Sequence, residues 1–155
     1  MPRINKNIID IKTSATLAIN ELSQQLEKRG QEIFKFGLGQ SPFPVPQIIV
    51  EELKKKAHQK DYINVSGLIE LRNLVAQYHA IKNKNSYSAD NVIIGPESKE
   101  LIFQTQLVLD CDVLLPSPSW VSYEPQAQIL NKKIHWIQSD ARTNWHITPD
   151  ELEKI

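Results

Sequence analysis

The run Val113-Leu114-Leu115-Pro116-Ser117-Pro118-Ser119-Trp120-Val121-Ser122-Tyr123 decides the fold class. Val113 to Leu115 is a short apolar stretch of the kind that fills a strand buried on both faces. Pro116 has no N–H and is expected to stop that strand. The prolines and serines from 116 to 119 mark a loop. From Trp120 to Asn131 the spacing becomes helical, with Pro125 restricting where the helix can begin. Lys133 to Ser139 then alternates, with Ile134, Trp136 and Ile137 apolar, as a second strand does. Strand, helix and strand in that order call for an α/β layer with a parallel sheet.

Working back toward the N-terminus, Val92-Ile93-Ile94 reads as another short strand, stopped by Gly95-Pro96, and Glu97 to Leu109 as a helix. Leu68 to Ile81 has helical spacing, with Leu71, Leu74, Val75 and Tyr78 near one face. Gln47 to Lys60 reads as a helix opened by Pro46 and burying Ile48, Ile49, Val50 and Leu53. Gly37 to Pro46 packs Pro42, Pro44 and Pro46 beside Gly37 and Gly39, which forbids helix and sheet interior and leaves a fixed extended loop. Ile33 to Phe36 alternates like a short strand. Ser14 is placed to cap a helix from Thr16 to Arg29 with Leu22 and Leu26 on one face, and Gly30 to end it. Residues 1–12 read as a loose arm. Thr148-Pro149-Asp150-Glu151 begins a helix with acids in its first turn. The expected organisation is an N-terminal arm and helix over 1–32, then the first part of a layered α/β domain over 33–155.

Composition narrows the function classes. The chain has 155 residues, with 18 basic and 18 acidic side chains balancing to zero. Nucleic acid and anionic membranes reward a basic excess, so neither is an expected partner. The run Lys54-Lys55-Lys56 reads as the solvated face of a helix. Cys111 is the single cysteine, which rules out an internal disulfide framework. No apolar region follows the first residues as a secretion signal would require, and no apolar run is long enough to span a bilayer. A cytoplasmic location is expected. His58, His79, His135 and His146 lack metal-ligand spacing with Cys111 or with carboxylates. Asp110 and Asp112 beside Cys111 raise a thiol pKa, which argues against a nucleophile.

Four stretches have the residue types of a binding site, and each also has a plainer reading. Gly95-Pro96-Glu97-Ser98-Lys99 is a turn into a helix whose first N–H groups and dipole suit a phosphate, and also an ordinary strand–helix connection. Trp120 follows a strand end, where open α/β sheets bind ligands and an indole can stack on a planar ring, but it is equally a core aromatic. The Gly37–Pro46 loop permits close backbone approach to a ligand, or is a rigid connector. Tyr62, in Asp61-Tyr62-Ile63-Asn64-Val65-Ser66-Gly67-Leu68-Ile69-Glu70-Leu71-Arg72, offers a hydroxyl ahead of a helix, or decorates a surface.

In this order, from the loop at Gly39 through Tyr62, Gly67, Glu70-Leu71-Arg72 and Ser98-Lys99 to Pro118-Ser119-Trp120-Val121-Ser122-Tyr123, the four stretches resemble the class I/II aminotransferases of fold type I. The resemblance runs from about residue 14 to 155. It implies a three-layer α/β/α large domain with a mainly parallel sheet, pyridoxal 5'-phosphate as cofactor, and amino-group transfer between an amino acid and a 2-oxo acid. By the same resemblance Gly39 lies by the substrate carboxylate. Ser98 and Lys99 contact the cofactor phosphate, and Trp120 stacks on the pyridine ring. Tyr62 reaches the phosphate of a neighbouring subunit in a homodimer.

The pattern also has gaps. The family's Schiff-base lysine sits in a Ser-x-x-Lys-like context followed by glycines, and no such segment occurs in these residues. There is no Asn-Pro dipeptide, and no match to the contexts of the aspartate facing the pyridine nitrogen or the arginine gripping the substrate carboxylate. Glu97 stands where the family has glycine, Cys111 where it favours glycine, and Asn64 where it often has proline. The expectation is a chain that ends before the Schiff-base lysine and does not transaminate alone. The alternative is a non-catalytic phosphate-binding or subunit-interaction module. A dinucleotide-binding fold ranks below both, because Gly37-Leu38-Gly39 leads into prolines rather than a helix.

Overall fold

The computed structural model describes residues 3–155. The first two residues of the expected N-terminal arm lie outside the described residues. The chain divides into two compact units, residues 1–40 with 101–155, and residues 41–100.

In the first unit, β1 (Val113–Ser117) and β2 (Ile134–Gln138) form a parallel pair with Val113 opposite Ile134 and Ser117 opposite Gln138. The helix α6 (Tyr123–Ile129) joins them. This is the strand–helix–strand unit expected from the sequence. Leu115, Ala127 and Ile137 are buried, and Ala127 has no exposed surface. The register pairs Leu115 with Trp136 and Pro116 with Ile137, so Leu115 and Ile137 fill opposite faces of the pair. Pro116 does not stop the strand. Val113 N–H donates to Lys133 O at 2.8 Å, and Ser139 N–H donates to Ser117 O at 3.1 Å. The odd-numbered residues of β1 therefore bond β2, while Leu114 and Pro116 turn their backbones to the other edge. The N–H that Pro116 lacks is not one the pairing uses. Pro125 stands in the first turn of α6, where no intrahelical donor is needed. The helix starts at Tyr123, three residues later than the spacing predicts.

Of the expected loose arm, Lys6–Ile9 forms the short helix α1, capped by the Asn5 side chain. Asn7 Nδ2 donates to Ile129 O at 3.3 Å, which ties α1 to the end of α6. Helix α2 (Ala15–Lys28) follows the predicted span, although the Ser14 side chain makes no capping bond. Gly30, with φ +81°, gives α2 the expected ending: its N–H bonds Glu27 O, and the Gln31 N–H reaches back to Leu26 O. Ser23 is the buried side chain of α2, while Leu22 is exposed. The predicted strand at 33–36 is irregular backbone with Phe34 and Phe36 exposed, since no neighbouring strand among the described residues takes up its hydrogen bonds. The final helix, α7 (Pro149–Leu152), is short and begins with a proline.

 Between α2 and α6 the chain forms α3 (Gln47–Lys56), α4 (Ile69–Asn83) and α5 (Ser98–Val108).

The second unit contains α3 and α4 and ends in the first turn of α5. Pro46 is the residue before α3 rather than its first position, and the helix stops at Lys56, short of Lys60. None of its residues is buried: Ile48, Ile49 and Leu53 are exposed, against the expected apolar face. In α4 the buried residues are Arg72 and Ala76, four apart, while Leu71, Leu74 and Tyr78 are exposed. The predicted strand Val92–Ile94 is not in a ladder. Ile94 N–H donates to Ser66 O at 3.0 Å, and no strand runs alongside it among the described residues.

Candidate functional site

Two residues of the expected site lie in the first unit. Gly39 is exposed in the loop ahead of α3, and a Cβ built on it would meet nothing within 4 Å. Space is therefore open beside its backbone. Trp120 lies in the connection between β1 and α6, at the C-terminal end of a parallel strand. Its ring stands edge-on to Tyr123, with centroids 5.4 Å apart and planes 77° apart, and the residue is 46% exposed. The edge-on contact holds the plane of an indole that still presents surface to a ligand. The hydroxyl of the preceding Ser119 is buried without a hydrogen-bond partner. Buried polar atoms are normally satisfied, so this one suits a polar molecule beside the indole.

The other three lie in the second unit. Ser98 is the first residue of α5, an 11-residue helix, directly after the turn Gly95-Pro96-Glu97. A helix start places N–H groups and the positive dipole end together, which favours an anion. Lys99 Nζ lies 3.3 Å from Glu97 Oε1. The Glu97 carboxylate is thus drawn to the ammonium, and the lysine's charge is partly neutralised by it. Tyr62 is fully exposed, so its hydroxyl is available to whatever approaches that surface.

Sequence reasoning left Arg72 without a role. Its Nε donates to Val92 O at 2.9 Å and to Ala89 O at 3.1 Å, and one terminal nitrogen donates to Ala89 O at 2.7 Å. Asp90 Oδ1 lies 3.7 Å from that nitrogen, and the arginine side chain is only 11% exposed. An arginine within a helix of apolar spacing was the available signal. Its partners are backbone carbonyls, which no side-chain pattern reveals.

A family model described as aminotransferase class I and II matches residues 31–155. The chain belongs to that family. The aspartate aminotransferase of Bacillus subtilis is 26% identical over 157 aligned positions, which cover 97% of this chain and 40% of that protein. The crystal structure of the Thermotoga maritima aspartate aminotransferase superposes with a TM-score of 0.86 at 25% identity, over 98% of this chain and 42% of that one. The Thermus thermophilus aspartate aminotransferase with maleate superposes with a TM-score of 0.87 at 22% identity, over 99% and 42%. The α/β aminotransferase fold expected from the sequence is confirmed, and this chain spans about 40% of the length of these relatives. No helix among the described residues is long and apolar enough to cross a membrane.

Proposed function

We propose that the chain forms the cofactor-facing part of a pyridoxal-phosphate-dependent aminotransferase acting on an amino acid and a 2-oxo acid. The observation that carries this reading is the opening of α5 at Ser98, with the Glu97 carboxylate turned onto Lys99 and the helix start left suited to a phosphate ester. On this reading residues 1–32 are an arm and helix, and residues 33–155 belong to the cofactor-binding domain.

Bound pyridoxal phosphate would supply an electron sink for charge developing at the α-carbon of the amino acid. The chain's own residues bind and orient. The N–H groups at Ser98 and Lys99 hold the phosphate, and the Ser98 hydroxyl adds a donor. Trp120, its plane fixed by Tyr123, stacks on the pyridine ring. Gly39 leaves room for the substrate carboxylate. Tyr62 serves the phosphate of a second subunit in a homodimer, a role consistent with its full exposure. No residue of these 155 has the sequence context of the family's Schiff-base lysine, so the reading for this chain by itself is binding without turnover.

The test is an absorbance titration with pyridoxal phosphate, followed by borohydride reduction and mass analysis. Saturable binding with no single lysine trapped is the expected result. Stoichiometric trapping of one lysine would show that this chain supplies its own Schiff base, and absence of binding would remove the cofactor-facing role. The exposure of Tyr62 favours a second reading, a subunit-interaction module without chemistry of its own. Association with an aminotransferase subunit in the absence of cofactor binding would select it.

A further inference from the structure

We infer that Arg72 and Gly67 are positioning residues that aim the phosphate turn. The inference rests on the phosphate reading of Ser98 given above. The segment Val92–Ile94 leads directly into Gly95-Pro96-Glu97 and the start of α5. The stretch from Ser66 to Arg72 supplies three separate holds.

Ser66 O accepts the Ile94 N–H at 3.0 Å. Gly67, with φ +102°, brings its backbone so close to Ile94 that an added Cβ would lie 2.6 Å from the Ile94 Cβ. Only a residue without a side chain permits that approach. Arg72 then grips the other end, bonding Ala89 O through two nitrogens and Val92 O through Nε. The guanidinium is largely removed from water, where such charge-assisted bonds are stronger. Its rigid fork matters as much as its charge, because an ammonium cannot hold two carbonyls in that planar geometry. Holding Val92 and Ile94 at both ends sets the direction in which the turn and the first N–H groups of α5 point. A small misplacement there weakens a ligand held by several convergent N–H groups at once.

The experiment compares pyridoxal phosphate with pyridoxal, which lacks the phosphate, on the full 155-residue chain and on Arg72→Lys, with circular dichroism melts as the control for folding. The wild-type chain should prefer the phosphate ester. Arg72→Lys should lose about tenfold in affinity for the ester while its affinity for pyridoxal is unchanged. A general structural defect would weaken both ligands equally, and that result, or an undiminished preference, overturns the inference. A wild-type chain with no preference overturns the phosphate reading beneath it. Should Arg72→Lys fail to fold, amide exchange of the wild-type chain decides: bound pyridoxal phosphate must slow exchange of the Ile94 N–H, because coupling between a hold and its ligand is reciprocal. Unchanged exchange at saturating ligand would overturn the inference.

Discussion

Gly67 and Ile94 approach so closely that a Cβ on residue 67 would lie 2.6 Å from the Ile94 Cβ and 3.0 Å from its Cγ1. The Gly67 backbone also has φ +102°, a conformation that L side chains rarely adopt. Gly67→Ala therefore combines backbone strain with a steric clash. It should destabilise the second unit by roughly 2–4 kcal/mol. Urea denaturation followed by circular dichroism measures the loss, and a midpoint equal to wild type would show that the segment shifts at no cost.

Glu97→Gln should strengthen binding of pyridoxal phosphate. The substitution removes a carboxylate next to the helix start and releases the Lys99 ammonium from its 3.3 Å pairing. An exposed pair of this kind is worth little, so the gain should be a few-fold, and raised salt should shrink it. Titrations at two ionic strengths test both statements. Weaker binding by the variant would place the phosphate elsewhere.

Ala127 faces the buried centre of the strand–helix–strand unit with no exposed surface. Ala127→Leu adds volume at a position that is already fully enclosed, and should cost roughly 1–3 kcal/mol. A variant as stable as wild type in chemical denaturation would mean that α6 can move off the sheet freely.

Asp112 Oδ2 accepts a hydrogen bond from His135 Nε2 at 2.7 Å, and this bond, helped by the Lys133 and Lys132 charges, holds the Asp112 carboxyl below the usual carboxylate range. The stabilisation it contributes is present above the ordinary aspartate pKa and is lost as pH falls through the lowered value in the folded chain. Asp112→Asn should therefore lower the melting temperature slightly at pH 7, with the difference from wild type disappearing in strong acid. A difference that persists at acid pH would assign the effect to something other than this carboxylate.

The chain exposes 13,540 Å². A compact monomer of its mass exposes about 8,000 Å². The same relation applied to each unit by itself gives about 9,600 Å² in all. Large apolar side chains, Ile48, Ile49, Leu53 and Leu74 among them, are exposed. The 155-residue chain should bind a hydrophobic reporter dye and sediment with concentration-dependent mass. Dye-free, monomeric behaviour at high concentration would show that these faces are covered in solution.

The parts of the fold that were legible in the sequence are those whose cause is local. Val113–Leu115 and Ile134–Gln138 are apolar strands that find each other across one helix, and Gly30 terminates α2 by its own backbone freedom. Ile33–Phe36 has the same alternation but no partner strand among the described residues, and alternation alone does not make a strand. Val92–Ile94, apolar and strand-like in sequence, likewise has no ladder partner among the described residues. The helix faces misled in another way: apolar spacing placed Leu71, Leu74 and Tyr78 inward, whereas the buried residues of α4 are Ala76 and an arginine. That inversion follows from what Arg72 bonds, since carbonyls of a distant loop draw the charged side into the unit. The candidate residues Gly39, Tyr62, Ser98, Lys99 and Trp120 came from order and resemblance. Their surroundings, above all the pairing of Glu97 with Lys99, needed coordinates.

Pro116 has a consequence for how chains meet. The outer edge of β1 offers the N–H of Leu114 but none at residue 116, so a second chain laid along that edge would find one of its carbonyls unanswered. A short strand with a proline facing outward is a poor template for edge-to-edge stacking. The residue that the β1–β2 pairing tolerates without loss thus leaves the opposite edge of β1 one donor short, and Pro116→Val would restore that donor.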